Sequence, residues 1–152
     1  MKNVFFLLVS IIFVSCSSDD TSSFKLIRDL NINRELWKDA NITDYTLNQS
    51  KGCFCPGPFE WQVFVKNSTK DSVVFDEIWL EQGITYEDVF NEARTIEEIF
   101  DYIEKVINDK PDGLNTKYDE TYGFPTSIGI DYIEEAVDDE IGYSYTSFKI
   151  LR

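Results

Sequence analysis

The sequence predicts an α+β fold in which two main helices pack on one face of an antiparallel sheet of about six strands. Two segments carry apolar residues at helical spacing, and six short segments alternate apolar with polar or small residues. Turn-forming residues separate these segments. The predicted order of elements is α-β-β-β-α-β-β-β, which is typical of a helical layer packed against one sheet.

The first helix and the next three strands are predicted from residue periodicity. Residues 24–40 form the first helix, because apolar and small polar residues recur there at helical spacing. The residues that share this helical face are Leu26, Leu30, Asn33 and Trp37. Three β-rich runs follow, with turn-forming residues between them, at 45–47, 61–65 and 72–75. The segment 83–94 fits neither pattern clearly.

A second helix is predicted to begin after Thr95. The run Thr95-Ile96-Glu97-Glu98 is a capping-box pattern, in which the threonine and glutamate side chains bind each other's backbone amides. Apolar residues then lie on one helical face as far as Ile107, and Pro111 ends the helix. The last three strands are predicted at 114–118, 128–132 and 141–145, with loops at 119–125 and 134–140.

The N-terminus has the features of an export signal. Lys2 precedes an apolar run at 4–14, which is shorter than the ~20 residues that span a bilayer, and a small residue precedes Cys16. Residues 13–16, Phe-Val-Ser-Cys, resemble a lipobox, which implies that Cys16 is lipidated and becomes the first mature residue. We therefore expect a signal peptide at 1–15, a lipidated tether at 16–23 and one α+β domain at 24–152. A plain signal peptide and an uncleaved anchor are the alternatives.

The expected location is the bacterial cell envelope. A lipidated cysteine holds a domain on a membrane, and we expect this to be the outer membrane. Residues 17–20, Ser-Ser-Asp-Asp, resemble the serine-and-acid signal that sends lipoproteins of Bacteroidetes-type bacteria to the cell surface. That resemblance implies surface exposure.

Composition excludes several classes of function. The chain has 28 acidic and 14 basic residues, a net charge of -14, and loss of Lys2 with the signal peptide makes it -15. Such a charge repels phosphate backbones, so we expect no nucleic-acid partner. The absence of histidine excludes Ser-His-Asp and Cys-His catalysis and imidazole zinc sites.

Cys53 and Cys55 are expected to form a disulfide, because they lie one residue apart in a turn of an exported domain. A free pair, a redox couple and half of a thiolate metal site are the alternatives. Redox chemistry of the thioredoxin type uses C-x-x-C, and a four-ligand metal site lacks its other ligands here.

The acidic loop near the C-terminus is a candidate calcium site. Its proposed ligands are Asp131, Asp138, Asp139 and Glu140, in a stretch without lysine or arginine, and calcium prefers six to eight oxygen ligands. The spacing is not that of an EF-hand, and a solvated loop that protects a sheet edge is the alternative. No other cofactor is expected.

Several short motifs resemble those of an uncharacterised family of small bacterial lipoproteins. They are the C-x-C turn at Cys53, the run Thr-Ile-Glu-Glu-Ile-Phe at 95–100 and the run Tyr-Asp-x-x-x-Gly-Phe-Pro at 118–125. The resemblance covers almost the whole mature chain. The family is a domain of unknown function, so the resemblance implies no catalytic residue.

The leading functional hypothesis is a non-enzymatic, lipid-anchored envelope domain that binds or supports an envelope protein or glycan. A calcium-dependent binding or adhesion module is one alternative, and a small hydrolase that uses two carboxylates is another. Several aromatic residues could stack on a glycan or peptide, although aromatic residues in strands are more often part of the core. These residues are Trp61, Trp79, Tyr86, Tyr122, Phe124 and Tyr132.

Overall fold

A computed structural model describes residues 18–57, 59–133, 135–136 and 138–151 of the chain. The described part contains four helices and six strands. In chain order they are α1 (Ser18–Ala40), β1 (Tyr45–Gly52), β2 (Glu60–Lys66), β3 (Thr69–Val74), α2 (Ile78–Glu81), α3 (Tyr86–Glu92), α4 (Ile96–Asp109), β4 (Gly113–Tyr118), β5 (Pro125–Asp131) and β6 (Ile141–Ile150).

The six strands form one antiparallel sheet in the order β3-β2-β1-β6-β5-β4. The predicted α+β class, the number of strands and the order of the main elements are therefore confirmed. The first and last strands of the chain pair at the centre of the sheet, from Tyr45 opposite Ile150 to Gly52 opposite Gly142.

Helix α4 supplies the centre of the core because one of its faces is entirely apolar. The buried residues on that face are Ile96, Ile99, Phe100, Ile103, Val106 and Ile107. The predicted capping box is present: Glu98 accepts from the Thr95 amide at 2.7 Å, and Thr95 accepts from the Glu98 amide at 3.2 Å. The Tyr45 hydroxyl accepts from the Ile96 amide at 2.8 Å, which joins the start of this helix to the central strand.

Helix α1 packs against α4 and closes one end of the core with aromatic rings. Trp37 contacts the rings of Tyr45, Phe124 and Phe148 at centroid distances of 5.5, 6.3 and 5.9 Å. Its indole nitrogen donates to Glu97 at 3.0 Å. These contacts join the first helix to α4 and to both halves of the sheet.

Helix α1 begins at Ser18, six residues before the predicted start. Most of the predicted tether, 16–23, thus belongs to a helix. The predicted signal peptide, 1–15, and Cys16 lie outside the described residues.

The structure adds elements where the sequence was ambiguous. The segment 83–94 contains α3, which has its own capping box between Thr85 and Asp88, and the four-residue α2 precedes it.

Strand β6 continues five residues beyond its predicted end, because a bulge with Ser147 at φ 52° lets the strand keep pairing with β1. Among the described helices, none is long and apolar enough to cross a membrane.

Candidate functional site

None of the described helices covers the second face of the sheet, which we call the uncovered face. The side chains of the opposite face, such as Leu47 and Val63, are buried under the helices. Alternation along each strand places mainly small polar residues at the centre of the uncovered face, with Phe64 and Val74 on β2 and β3 and the charged Asp131 and Lys149 towards the strand ends. The small polar residues are Asn48, Ser50, Gln62, Asn115, Ser127, Ser144 and Thr146, with Gly52, Gly129 and Gly142 among them.

Three glycines form a row across the uncovered face. Gly52 lies opposite Gly142, and Gly142 is the neighbour of Gly129 on the next strand, which itself lies opposite Asn115. A Cβ atom on Gly129 would meet nothing within 4 Å, so no contact within the chain requires glycine there. Glycine weakens a strand and often marks a place where another molecule approaches the backbone. An open groove of about 490 Å³ is lined by two of these glycines, Gly129 and Gly142.

The centre of the uncovered face is uncharged. Cross-strand partners in the row beside the glycines are Ser127, Ser144 and Ser50, and charge appears only at the ends of that row, on Lys117 and Glu60. The next row pairs Asn48 with Gln62, whose amide donates to the Asn48 side chain at 2.9 Å. These residues were not among the predicted site residues. Their alternation with core residues along each strand is the only feature of the sequence that could have identified them.

Two of the four proposed calcium ligands lie at one end of the groove. Asp131 and Glu140 line the groove, and Asp139 accepts from the Ile133 amide at 2.8 Å. Asp138 is exposed at a positive φ of 76°. Within the described ranges no group of three or more acidic, cysteine or histidine side chains is placed to hold a metal ion. Calcium binding therefore stays a prediction.

Asp131 has an environment that disfavours its charge. Desolvation raises its pKa, and the negative charges of Asp139, Glu140 and Asp112 raise it further. A carboxyl group whose pKa is higher in the folded state than in the unfolded state lowers stability when it is ionised in both states. This penalty is present at neutral pH and disappears as the pH falls below the unfolded pKa of about 3.9.

Replacement of Asp131 by asparagine should therefore raise the melting temperature at pH 7. The gain should shrink as the pH falls and vanish near pH 3, roughly one unit below the ordinary aspartate pKa, where the wild-type carboxyl is protonated in both states. Thermal unfolding of both proteins across this pH range measures the effect. An equal gain at pH 7 and pH 3 would show that the substitution acts through something other than charge.

The same pair of proteins tests the calcium hypothesis. An ion that binds only the folded state stabilises it by about 2.7 kcal/mol at a hundredfold excess over Kd. If calcium binds, the wild-type melting temperature should rise between chelator and millimolar calcium, and Asp131→Asn should abolish the rise. A flat wild-type curve would contradict calcium binding.

The turn between β1 and β2 contains Cys53 and Cys55. The structure places their sulfur atoms together, with Cα atoms 5.3 Å apart, a spacing that disulfides commonly span. The disulfide itself stays a prediction. Phe54 between them is 84% exposed, so the turn presents an aromatic ring to solvent.

The proposed aromatic contact residues differ in their exposure, and Trp79 and Tyr122 are half-buried. Trp61 and Phe124 are buried in the core, whereas Tyr86 and Tyr132 are exposed. Tyr86 has a structural role, because its hydroxyl accepts from the Val73 amide on the edge strand β3 at 3.2 Å. Trp79 packs edge-on against Phe59 at 5.5 Å, beside the cysteine-containing turn. These rings do not converge on one surface.

The fold and the uncovered face define a small α+β domain with a single helical layer. Residues 29–150 match the family of unknown function DUF6174, and the chain belongs to that family. Comparison with curated proteins and with solved structures found no match.

Two of the motifs that resemble those of the lipoprotein family have structural roles here. In the run 118–125, the Asp119 carboxylate accepts from the amides of Thr121 and Tyr122 at 3.0 and 2.7 Å. The Gly123 amide donates back to the Asp119 carbonyl at 2.9 Å, and this turn places Phe124 in the core. The run that begins at Thr95 caps α4. Surfaces away from these motifs are thus the better candidates for binding.

Proposed function

We propose that the protein is a lipid-anchored, non-enzymatic domain of the bacterial cell envelope that binds another protein through the uncovered face. One observation carries this proposal: the centre of that face is uncharged in a chain with a net charge of -14. Protein interfaces are depleted of charge at their centre and polar at their rim. The face, with Lys117 and Glu60 at its margins, has this distribution of charge.

The shape of the face also favours a protein partner. Six strands about 4.8 Å apart span roughly 24 Å, and seven residues along a strand span roughly 23 Å. The resulting area of about 550 Å² is a large part of the ~800 Å² that each partner buries in a standard interface. Small-molecule sites bury most of their ligand, whereas the groove on this face is widely open to solvent. An envelope glycan is the alternative occupant.

The anchoring part of the proposal rests on the sequence 13–16 and on the position of α1. The helix begins at Ser18, two residues after Cys16, so a lipid on Cys16 would hold the domain close to the membrane. The non-enzymatic part rests on the absence of histidine, which removes the commonest general base and nucleophile activator.

The experiment that tests the proposal has an anchor arm and a face arm. In the anchor arm, Cys16→Ala is expected to leave the protein soluble or uncut, because the acyl chains supply the membrane affinity. Fractionation with detergent partitioning measures this. A processed Cys16→Ala protein that partitions like the wild type would contradict lipid anchoring.

In the face arm, a photo-crosslinking amino acid replaces Thr146 or Asn115 in the anchored protein in cells. Both side chains are exposed on the uncovered face, and exposed Glu35 on α1 and Lys105 on α4 provide matched control positions. We expect the same discrete protein adduct from both face positions and none from the controls. An adduct with glycan, equal adducts at the control positions or no adduct at all would overturn the proposal.

A further inference from the structure

The two edges of the sheet differ in how they are covered. Helix α3 packs against the edge strand β3, where the Tyr86 hydroxyl accepts from the Val73 amide at 3.2 Å and the Lys70 ammonium donates to the Ala93 carbonyl. The edge strand β4 ends the other side of the sheet, and no strand of the described residues pairs with its outer side. An unpaired strand edge is a template for pairing with another chain. Strand β4 is therefore a candidate interaction surface.

The composition of β4 leaves this edge open to pairing. Sheets commonly protect an edge with proline or with charged side chains. Strand β4 has six residues, none of them proline and none acidic, although the chain has 28 acidic residues. Its one charge is on Lys117, which belongs to the uncovered face. A second chain can thus approach the backbone of β4 without meeting a carboxylate on the strand.

Helix α1 adds exposed apolar side chains on the same side of the domain. Ile32 and Leu36 are about one helical turn apart, and they are 59% and 39% exposed. Arg34 lies on the opposite flank of the helix and pairs with Glu104 of α4 at 2.8 Å, so Ile32 and Leu36 face away from α4. The Leu36 Cβ atom lies 3.0 Å from the place of a Cβ atom on Gly123, in the turn that joins β4 to β5. The exposed apolar pair is therefore next to the β4 side of the sheet.

The residues of β4 are complementary to a second copy of the same strand. Residues that face each other in an antiparallel pair lie on the same side of the sheet. A two-fold axis at Thr116 satisfies this rule: on the helix side Leu114 lies opposite Tyr118 of the second copy, and on the uncovered side Asn115 lies opposite Lys117. Leu114 and Tyr118 are only half-buried within one copy, so each ring or alkyl group would cover the other. No two like charges face each other within the paired strands.

We propose that two copies of this chain associate through β4, in an antiparallel pair with Thr116 on the two-fold axis. The pairing joins the two sheets into one and brings the flanks of the two α1 helices that carry Ile32 and Leu36 towards each other. An axis perpendicular to the sheet keeps both helical layers on one side and both uncovered faces on the other. Self-association therefore leaves the uncovered face free, and it does not depend on what that face binds.

The size of the contact indicates a weak dimer. Six residues at about 3.3 Å each give an edge of about 20 Å, and the sheet with its helical layer is about 20 Å thick. The resulting contact of about 400 Å² per copy is half of the ~800 Å² of a standard interface. Interfaces of this size are typical of transient association, so we expect a monomer–dimer equilibrium that depends on protein concentration.

Disulfide trapping in intact cells treated with a mild oxidant tests the pairing. Residues that face each other in an antiparallel pair have Cα atoms about 4.5 to 5.5 Å apart, a distance that a disulfide can span. Thr116→Cys should therefore give a covalent dimer of the chain. Thr69→Cys is the matched control, because Thr69 is an exposed threonine on the covered edge strand β3, and it should stay monomeric. Equal dimer from both variants, no dimer from Thr116→Cys, or a bond from Thr116→Cys to a different protein instead would overturn the proposal.

Sedimentation of the full-length, detergent-solubilised protein over a range of concentrations measures the equilibrium without a covalent bond. Thr116→Lys places two like charges on the axis and should weaken dimerisation by about tenfold or more, whereas Thr69→Lys should not change it. Ile32→Ser acts at an exposed site that folding does not need, and it should weaken dimerisation by about three- to tenfold at an unchanged melting temperature. A wild type that stays monomeric at every concentration, or unchanged dimerisation in both Thr116→Lys and Ile32→Ser, would overturn the proposal.

Discussion

Phe100→Ala is expected to lower the free energy of unfolding by about 3 to 5 kcal/mol, as is typical when a buried phenylalanine is truncated. Phe100 is 1% exposed in the middle of the apolar face of α4, and its ring stacks on Tyr118 at 6.3 Å. Removal of the ring leaves a cavity between α4 and β4. Domains have only about 5 to 15 kcal/mol of stability, so the variant should be close to unfolding.

Phe54→Ala is the matched control, because it removes the same ring from a site that is 84% exposed. Its effect should stay within about 0.5 kcal/mol. Denaturant unfolding of the three proteins gives the comparison. A loss below about 1 kcal/mol for Phe100→Ala would mean that this face of α4 does not form the core.

Gly123→Ala should destabilise the domain by about 2 to 5 kcal/mol, through backbone strain and overpacking together. Gly123 has a φ of +76°, a conformation that residues with a Cβ atom adopt at a cost. A Cβ atom there would also lie against the Asn33 carbonyl oxygen and 3.0 Å from the Leu36 Cβ atom. Helix α1 would have to move away from the turn.

Substitutions at two other glycines separate the contribution of backbone strain from that of contact with α1. Gly83 has a similar φ of +86° but nothing within 4 Å, so Gly83→Ala should cost only the strain, about 1 to 2 kcal/mol. Gly129 has neither a positive φ nor a neighbour, so Gly129→Ala should be neutral or stabilising by up to about 1 kcal/mol. Equal losses for Gly123→Ala and Gly83→Ala would show that contact with α1 is unimportant.

Local patterns were sufficient to predict most of the elements. The helix after Thr95 combines a capping box, an apolar face and a terminating proline within seventeen residues, and all three signals act over short distances. Each strand was found because alternation along a half-buried strand is also local. The end of β6 was missed, because a bulge at Ser147 interrupts that alternation while pairing with β1 continues.

Contacts between distant segments could not be predicted in this way. The row of glycines could be predicted only from the pairing register of three strands. Gly52, Gly142 and Gly129 become neighbours only when the sheet is assembled. Arg94 is similar: its partners Gln49 and Tyr143 are 45 and 49 residues away along the chain, and the segment that contains it fitted neither a helical nor a strand pattern.

The acidic loop shows the converse case, in which residues close in sequence have different surroundings. Asp138, Asp139 and Glu140 are consecutive. The Asp139 carboxylate accepts a hydrogen bond from the Ile133 amide, whereas Asp138 is exposed and has a positive φ. Charge composition identified the region. It could not determine the direction in which each carboxylate points.

The central pairing of β1 with β6 also determines when the domain can fold. The partners Tyr45 and Ile150, and Gly52 and Gly142, are separated by 105 and 90 residues of chain. If either half of the sheet formed alone, its central strand, β1 or β6, would have an unpaired edge. The sheet cannot be completed before the last ten residues of the domain have been synthesised, and such long-range pairing makes folding slow.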